Sequence, residues 1–170
     1  MKKIALLTIL IMSLALCACQ EKDDNKDTTD KNTSTSAPQE KEEFESLLQL
    51  YNDLTAEIEF SPMFEVSSEY ALNLFGIDTT VLLDNVIYIS EDVMSPDTVI
   101  IVETATKEDL ESVEELLNGY VESKLTELED YNPDNYEIVK NCEVITSGNY
   151  VYLVISKNSK DANDFLEKYI

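Results

Sequence analysis

Arginine, histidine and tryptophan are absent from this chain, and all twelve of its basic residues are lysine, set against 35 aspartates and glutamates for a formal charge of -23. Without arginine there is no planar two-pronged donor for phosphate or carboxylate, and so acidic a surface repels a polyanion, which argues against nucleic acid as a partner. The same charge disfavours direct contact with anionic lipid. Without histidine, Ser-His and Cys-His nucleophiles and ordinary zinc sites are excluded. What remains for chemistry is carboxylate, lysine, serine and nine tyrosines. No pattern that would hold a cofactor or a metal is expected.

The amino terminus has the layout of an export signal. Met1-Lys2-Lys3 is followed by thirteen uncharged residues, Ile4 to Leu16, then by Cys17-Ala18-Cys19 and an abrupt polar run from Gln20. This is the order of a secretory signal peptide. At ~1.5 Å per residue the apolar run reaches ~20 Å, short of a ~30 Å hydrocarbon core, so a permanent span is disfavoured. Leu16-Cys17-Ala18-Cys19 resembles the lipobox of bacterial lipoproteins, in which a small residue precedes the cysteine that takes diacylglycerol. The competing register, Leu14-Ala15-Leu16-Cys17, puts bulky Leu16 at the small position. Residues 1–18 are therefore expected to be a cleaved signal peptide. Cys19 is expected to be the lipidated residue that anchors the protein on the extracytoplasmic face of the cell membrane, with an ordinary secretory signal as the alternative. The mature chain then has one thiol, Cys142, no intramolecular disulfide, and a stability that must come from packing. Cys142 is expected to be a small buried side chain.

From Gln20 to Glu43 there is no large apolar side chain. Such a segment cannot bury enough to fold, and as a coil its 24 residues would span ~25–30 Å, so residues 19–43 read as the lipidated cysteine and a disordered acidic tether. A single domain is expected over residues 44–170. Phe44, Leu47, Leu48, Tyr51, Leu54 and Ile58 recur at three- and four-residue steps and predict a helix that ends before Pro62. Ser67 can cap a second helix through Phe75, with Gly76 as its stop, and Asp78 can begin one further turn. Val86–Ile89 and Val99–Val102 read as strands, joined by a loop from Glu91 to Asp97. Met63 and Phe64, beside Pro62, form either an exposed apolar patch or a cap on the core.

Thr106 opens the most legible helix, with an apolar stripe of Leu110, Val113, Leu117, Tyr120, Val121, Leu125 and Leu128 and three acids in or near its first turn. Asn132-Pro133-Asp134 is expected to end it. Tyr136, Ile138, Cys142 and Val144 then fall on one side of a third strand, Ser147-Gly148-Asn149 makes a turn, and Tyr150 to Ile155 is a strand apolar on both faces, hence central. Ser159 is expected to cap a last helix through Phe165, Leu166 and Tyr169. The expected architecture is α+β: a four-stranded, mainly antiparallel sheet in ββαββα order, with helices packed on one face and preceded by N-terminal helices.

From about Tyr70 onward the chain resembles a family of exported lipoproteins of Gram-positive bacteria known as domain of unknown function 4358. The resemblance rests on the signal-peptide and lipobox start, the acid-rich long helix after an apolar strand, Tyr131-Asn132-Pro133, and the hairpin Gly148-Asn149-Tyr150-Val151. It implies an extracytoplasmic, membrane-anchored location. The shared motifs are structural, so it carries no catalytic or binding role to any residue.

The acidic clusters Glu91-Asp92, Glu108-Asp109-Glu111 and Glu127-Glu129-Asp130 lack the alternating spacing and glycine bend of a calcium loop, which favours a solvated face. A hydrolase built on paired carboxylates would need two acids at a set separation with one in an apolar pocket, and no such pair stands out. Tyrosines can supply an aromatic surface for a peptide or glycan, and Tyr131, Tyr150 and Tyr152 are the candidates, with Tyr131 and one of the other two expected to be exposed. The expected function is a non-catalytic binding or adaptor module that selects a basic protein or peptide partner by charge complementarity. A small-ligand or cation-binding lipoprotein is the alternative, and a carboxylate-dependent hydrolase the third reading.

Overall fold

A computed structural model describes residues 41–170; the expected signal peptide, Cys19 and the tether up to residue 40 lie outside the described residues. Helix α1, Leu47–Glu57, starts where the Ser46 side chain accepts the Gln49 N–H. Phe44 precedes it and sets its ring edge-on to Tyr150 at 6.1 Å. Strand β1, Met63–Glu65, is followed by α2, Ser68–Phe75, capped by Ser67 as its spacing predicts. Gly76 stops α2 at φ 75°, a left-handed conformation that a side chain would strain. A single 3-10 turn, Thr79–Val81, leads into β2, Leu82–Ser90, and β3 is Thr98–Thr104. Helix α3, Lys107–Leu128, begins at the Thr106 cap, whose hydroxyl accepts the Asp109 N–H.

Three local expectations are corrected. Asn132-Pro133-Asp134 does not simply end a helix; it starts α4, Pro133–Lys140, because Asn132 accepts the Asn135 N–H and Pro133 needs no donor in the first turn. Tyr136 and Ile138 are therefore helical, and the third predicted strand shrinks to β4, Val144–Ser147. After β5, Tyr150–Ile155, the cap of α5, Ser159–Leu166, is Asn158 rather than Ser159. Its side-chain amide donates to the Glu59 carbonyl, so it ties α5 to the end of α1 instead of closing its own first turn.

The sheet has five strands, not four, in the order β1-β2-β3-β5-β4, all antiparallel. The extra strand is β1, three residues long, too short for an alternation to show in the sequence. Helices cover both faces rather than one. Leu47, Leu50, Leu54 of α1 and Phe165, Leu166 of α5 pack on Val99, Ile101, Tyr152 and Val154. On the other face, Ala71 and Phe75 of α2, Val113 and Leu117 of α3 and Val139 of α4 pack on Ile87, Ile100, Val102, Leu153 and Ile155. Both central strands are apolar on their two faces, and burying both requires cover on both sides. The result is an α+β domain of three layers.

Where the described chain begins, it is held against the end of α5. The Glu42 N–H donates to the Lys168 carbonyl at 2.7 Å, and the Lys41 ammonium donates to the Glu167 and Ile170 carbonyls at 2.6 Å.

Candidate binding cleft

One row of directly paired residues crosses the sheet near the ends of its strands: Ile155 of β5 opposes Thr98 of β3, Thr98 opposes Ile89 of β2, and Ile89 opposes Phe64 of β1. Their side chains share the α2/α3/α4 face. At ~4.8 Å per strand the row is roughly 14 Å long. Ile155 and Thr98 are fully buried, Ile89 is half-buried, and Phe64 at the sheet edge is 40% exposed, so the row opens progressively toward β1. It floors a cleft of about 350 Å³.

One wall is the last two turns of α3. Tyr120 lies edge-on to Phe75 at 4.7 Å, and the Thr98 hydroxyl, which donates to the Pro96 carbonyl, lines the cleft with it. Burial pushes the Tyr120 phenol pKa up, against the pull of Lys124 and Thr98. Lys124 sits 5.9 Å from the Tyr120 ring centroid and donates to Glu127 at 2.9 Å. Partial burial works against its charge, yet the Glu127 carboxylate and the Tyr120 oxygen more than offset this and raise its pKa. Leu74 and Tyr70 of α2 close the second side.

The third wall is the loop 91–97. The Asp92 carboxylate accepts the Met94 N–H, the Asp97 carboxylate accepts the Ser61 N–H at 2.7 Å, and the hydroxyls of Ser61, Ser90 and Ser95 form a chain. The Asn135 side chain donates to the Met94 carbonyl at 2.7 Å, bridging from α4 to the loop. These bonds hold the loop upright, with Val93 96% exposed and Met94 also outside. Tyr131, at 77%, completes an apolar rim. Glu91, Asp92 and Glu127 are the exposed acids among the lining residues, and Lys124 is the one lysine.

Of the three tyrosines chosen from the sequence, only Tyr131 stands at this cleft. Tyr152 is 1% exposed in the α1/α5 layer, because its alternation places it inward on a strand covered on both sides. Tyr150 is half-buried against Phe44 at the opposite end of the sheet, in a shallow opening lined by Asp84, Glu103 and the acids of residues 42–45. That opening has almost no apolar floor, so the cleft over the Phe64–Ile155 row is the better ligand site although the two have similar volumes. Phe64, Tyr70, Tyr120 and Lys124 are cleft residues that sequence reasoning did not select. The adjacency of Met63 and Phe64 to Pro62 was the available signal for the first; the others lie on stripes that read equally well as core.

Among the described residues no three acids or thiols are grouped to hold a metal ion, and no helix is long and apolar enough to cross a membrane. Cys142 lies in the turn between α4 and β4, half-buried, its thiol donating to the Val139 carbonyl, and burial pushes its pKa up to about 11. A thiol held protonated in this way is a poor nucleophile.

Residues 56–156 match the family model of Domain of unknown function (DUF4358), and the chain belongs to that family. The match runs from the end of α1 to the end of β5, and so contains all five strands and the whole cleft floor. No curated protein and no solved structure matches the chain.

Proposed function

We propose that this protein is a non-catalytic binding module, anchored through a lipid on Cys19 to the extracytoplasmic face of the membrane, that takes an apolar side chain of a basic protein or peptide into the cleft over the Phe64–Ile155 row. The observation that carries this reading is an aromatic and aliphatic rim of Phe64, Tyr70, Met94 and Tyr131 around a partly open cleft, on a domain whose residues 44–170 hold 27 acids and six lysines. Exposed apolar groups around a concavity mark a binding site. The acids at the rim add selection for a basic partner and speed its approach. Lys124 does not reverse that sign, because Glu127 pairs with it. A cleft of this volume also falls in the range of small-ligand sites, and Tyr120 with Thr98 supplies polar groups at its base, which supports a small apolar ligand with one hydrogen-bonding group as the second reading.

The test is photo-crosslinking in living cells with the full lipoprotein, a reactive residue replacing Val93 or Tyr131, and Lys160 on α5 as the control position. A repeatable protein partner of basic character from the cleft positions, absent from the control, is the expected result. Equal labelling from all three positions would remove the cleft from the reading. The anchor is tested separately by palmitate labelling: Cys19→Ala abolishes incorporation and Cys17→Ala does not, and the reverse pattern would move the anchor.

A further inference from the structure

The cleft opens toward β1, and β1 has an unpaired outer edge. The Val66 N–H donates to the Ile87 carbonyl and the Glu91 N–H to the Pro62 carbonyl, both in the register that pairs Phe64 with Ile89. In an antiparallel ladder these bonds belong to alternate residues. Pro62, Phe64 and Val66 therefore turn their backbone toward β2, while the N–H and C=O groups of Met63 and Glu65 point away from the sheet, without a hydrogen-bond partner among the described residues. The row Ile155, Thr98, Ile89, Phe64 stops at this edge on an exposed ring. One more strand would extend the row by one apolar side chain.

We propose that the occupant of the cleft is an extended segment of a basic partner protein that adds to β1 as a sixth, edge strand, pairing with the outward groups of Met63 and Glu65 and laying an apolar side chain beside Phe64. This rests on the cleft-binding reading and specifies its mode. Strand addition takes its affinity from main-chain hydrogen bonds and its specificity from pockets for alternate side chains, and here the edge and the pocket are contiguous. Charge selects the occupant: Glu65 lies on the edge strand itself, Glu91 is hydrogen-bonded to Pro62 at its start with Asp92 next in the chain, and Glu59 and Glu69 stand a few residues before and after the strand, Glu59 being paired to Lys157. The same charge disfavours a second copy of this chain, since pairing β1 with β1 would bring two such sets of acids together.

Because the Glu65 N–H is not used by β2, Glu65→Pro removes an outward donor while sparing the ladder, as proline does on the open side of an edge strand. The probe is a capped hexapeptide of alternating lysine and valine, with a second version N-methylated on alternate residues and a third with glutamate for lysine. Binding to the full mature chain is read by peptide titration and by amide hydrogen exchange at Met63 and Glu65.

The expected result is slowed exchange at those two amides, roughly tenfold weaker binding by Glu65→Pro and by the N-methylated peptide, and a small, salt-sensitive loss with Glu65→Gln. The glutamate peptide does not bind. Perturbation of Tyr70, Tyr120 and Met94 without slowed exchange at the edge overturns strand addition and leaves cleft binding standing. Unchanged affinity in a folded Glu65→Pro protein overturns it as well. Slowed exchange that depends on protein concentration alone assigns the edge to a second copy and refutes the basic partner. Silence of both edge and cleft refutes the inference, and the crosslinking from Val93 then decides whether the cleft reading falls with it.

Discussion

On one face of the sheet α1 and α5 pack against Val99, Ile101, Tyr152 and Val154. Leu50, Leu54, Tyr152 and Leu166 are buried there, Tyr51 stacks on Tyr88 at 3.9 Å, and the opening beside Tyr51, Phe60 and Met63 is about 190 Å³ against about 350 Å³ for the cleft opposite. On the α2/α3/α4 face the helices meet over Ile100 and Leu117 and part again near the strand ends, where Ile89 and Phe64 stay partly bare. The difference is one of length. With 22 residues α3 is about 33 Å long, whereas the seven residues of β3 reach about 24 Å, so the helix overruns the sheet it packs on. Its buried residues, Val113 and Leu117, lie in its first half, and Tyr120, Lys124 and Glu127 line the gap beyond. One face of the sheet is thus packed closed over its middle, and the other opens at one end into the cleft.

The sharpest test of that division is a pair of truncations. Leu50→Ala on the sealed face should cost about 2–5 kcal/mol in urea unfolding, and Leu74→Ala at the cleft wall less than half as much, because a cavity beside an open cleft is relieved by water and by movement of its neighbours. Equal losses would mean that the two faces are equally closed.

Alkali probes the same asymmetry. Burial first, and then Tyr88 for Tyr51 and Glu167 for Tyr152, pushes these two phenols up to about 12. Their folded pKa values lie above the unfolded ones, so the stability they contribute, on the order of 2 kcal/mol each, is complete below pH ~10 and is lost as pH rises to ~12. Phenolate absorbance should show two tyrosines ionising with the unfolding transition itself; their titration well before unfolding would show that the face is not sealed.

Gly76→Ala, at the end of α2, forces a side chain into φ 75° and sets a methyl group 2.9 Å from Leu116 Cδ2, for an expected loss of about 1–2 kcal/mol by thermal melting. No loss would mean that α2 shifts freely over α3 and that this wall of the cleft is not fixed. Tyr131→Ala should change stability by less than about 0.5 kcal/mol while weakening partner capture in the crosslinking experiment. A stability loss comparable to that of Leu50→Ala would place Tyr131 with the core residues.

Much of this was legible before the fold was known, where the signal is local. The caps at Ser67 and Thr106, the stop at Gly76 and the central strand from Tyr150 each depend on a few adjacent side chains, and each stands where its residues put it. Asn132-Pro133-Asp134 reads as an ending because it follows a long helix, although a cap, a proline and an acid in that order equally begin one. Strand β1 left no trace, since three residues give no period to detect.

By itself the sequence determined the acidic balance, the exclusion of histidine and arginine chemistry, the helix boundaries set by caps, and one strand, Tyr150–Ile155, apolar on both faces. A strand without a polar side cannot leave one in water, yet that the helices divide between both faces, rather than lying on one as expected, is decided only by the fold. Only the tertiary structure decided which tyrosines meet. Tyr150 and Tyr152 share one apolar strand and one side of it, yet the first ends half-buried against Phe44 and the second in the core, while Tyr131 after the long helix ends at a cleft rim. Tyr120 and Phe64, far apart in the chain, come to line one cleft. Cross-strand register and the overrun of a helix past its sheet set those neighbours, and neither is encoded in any short stretch of the chain.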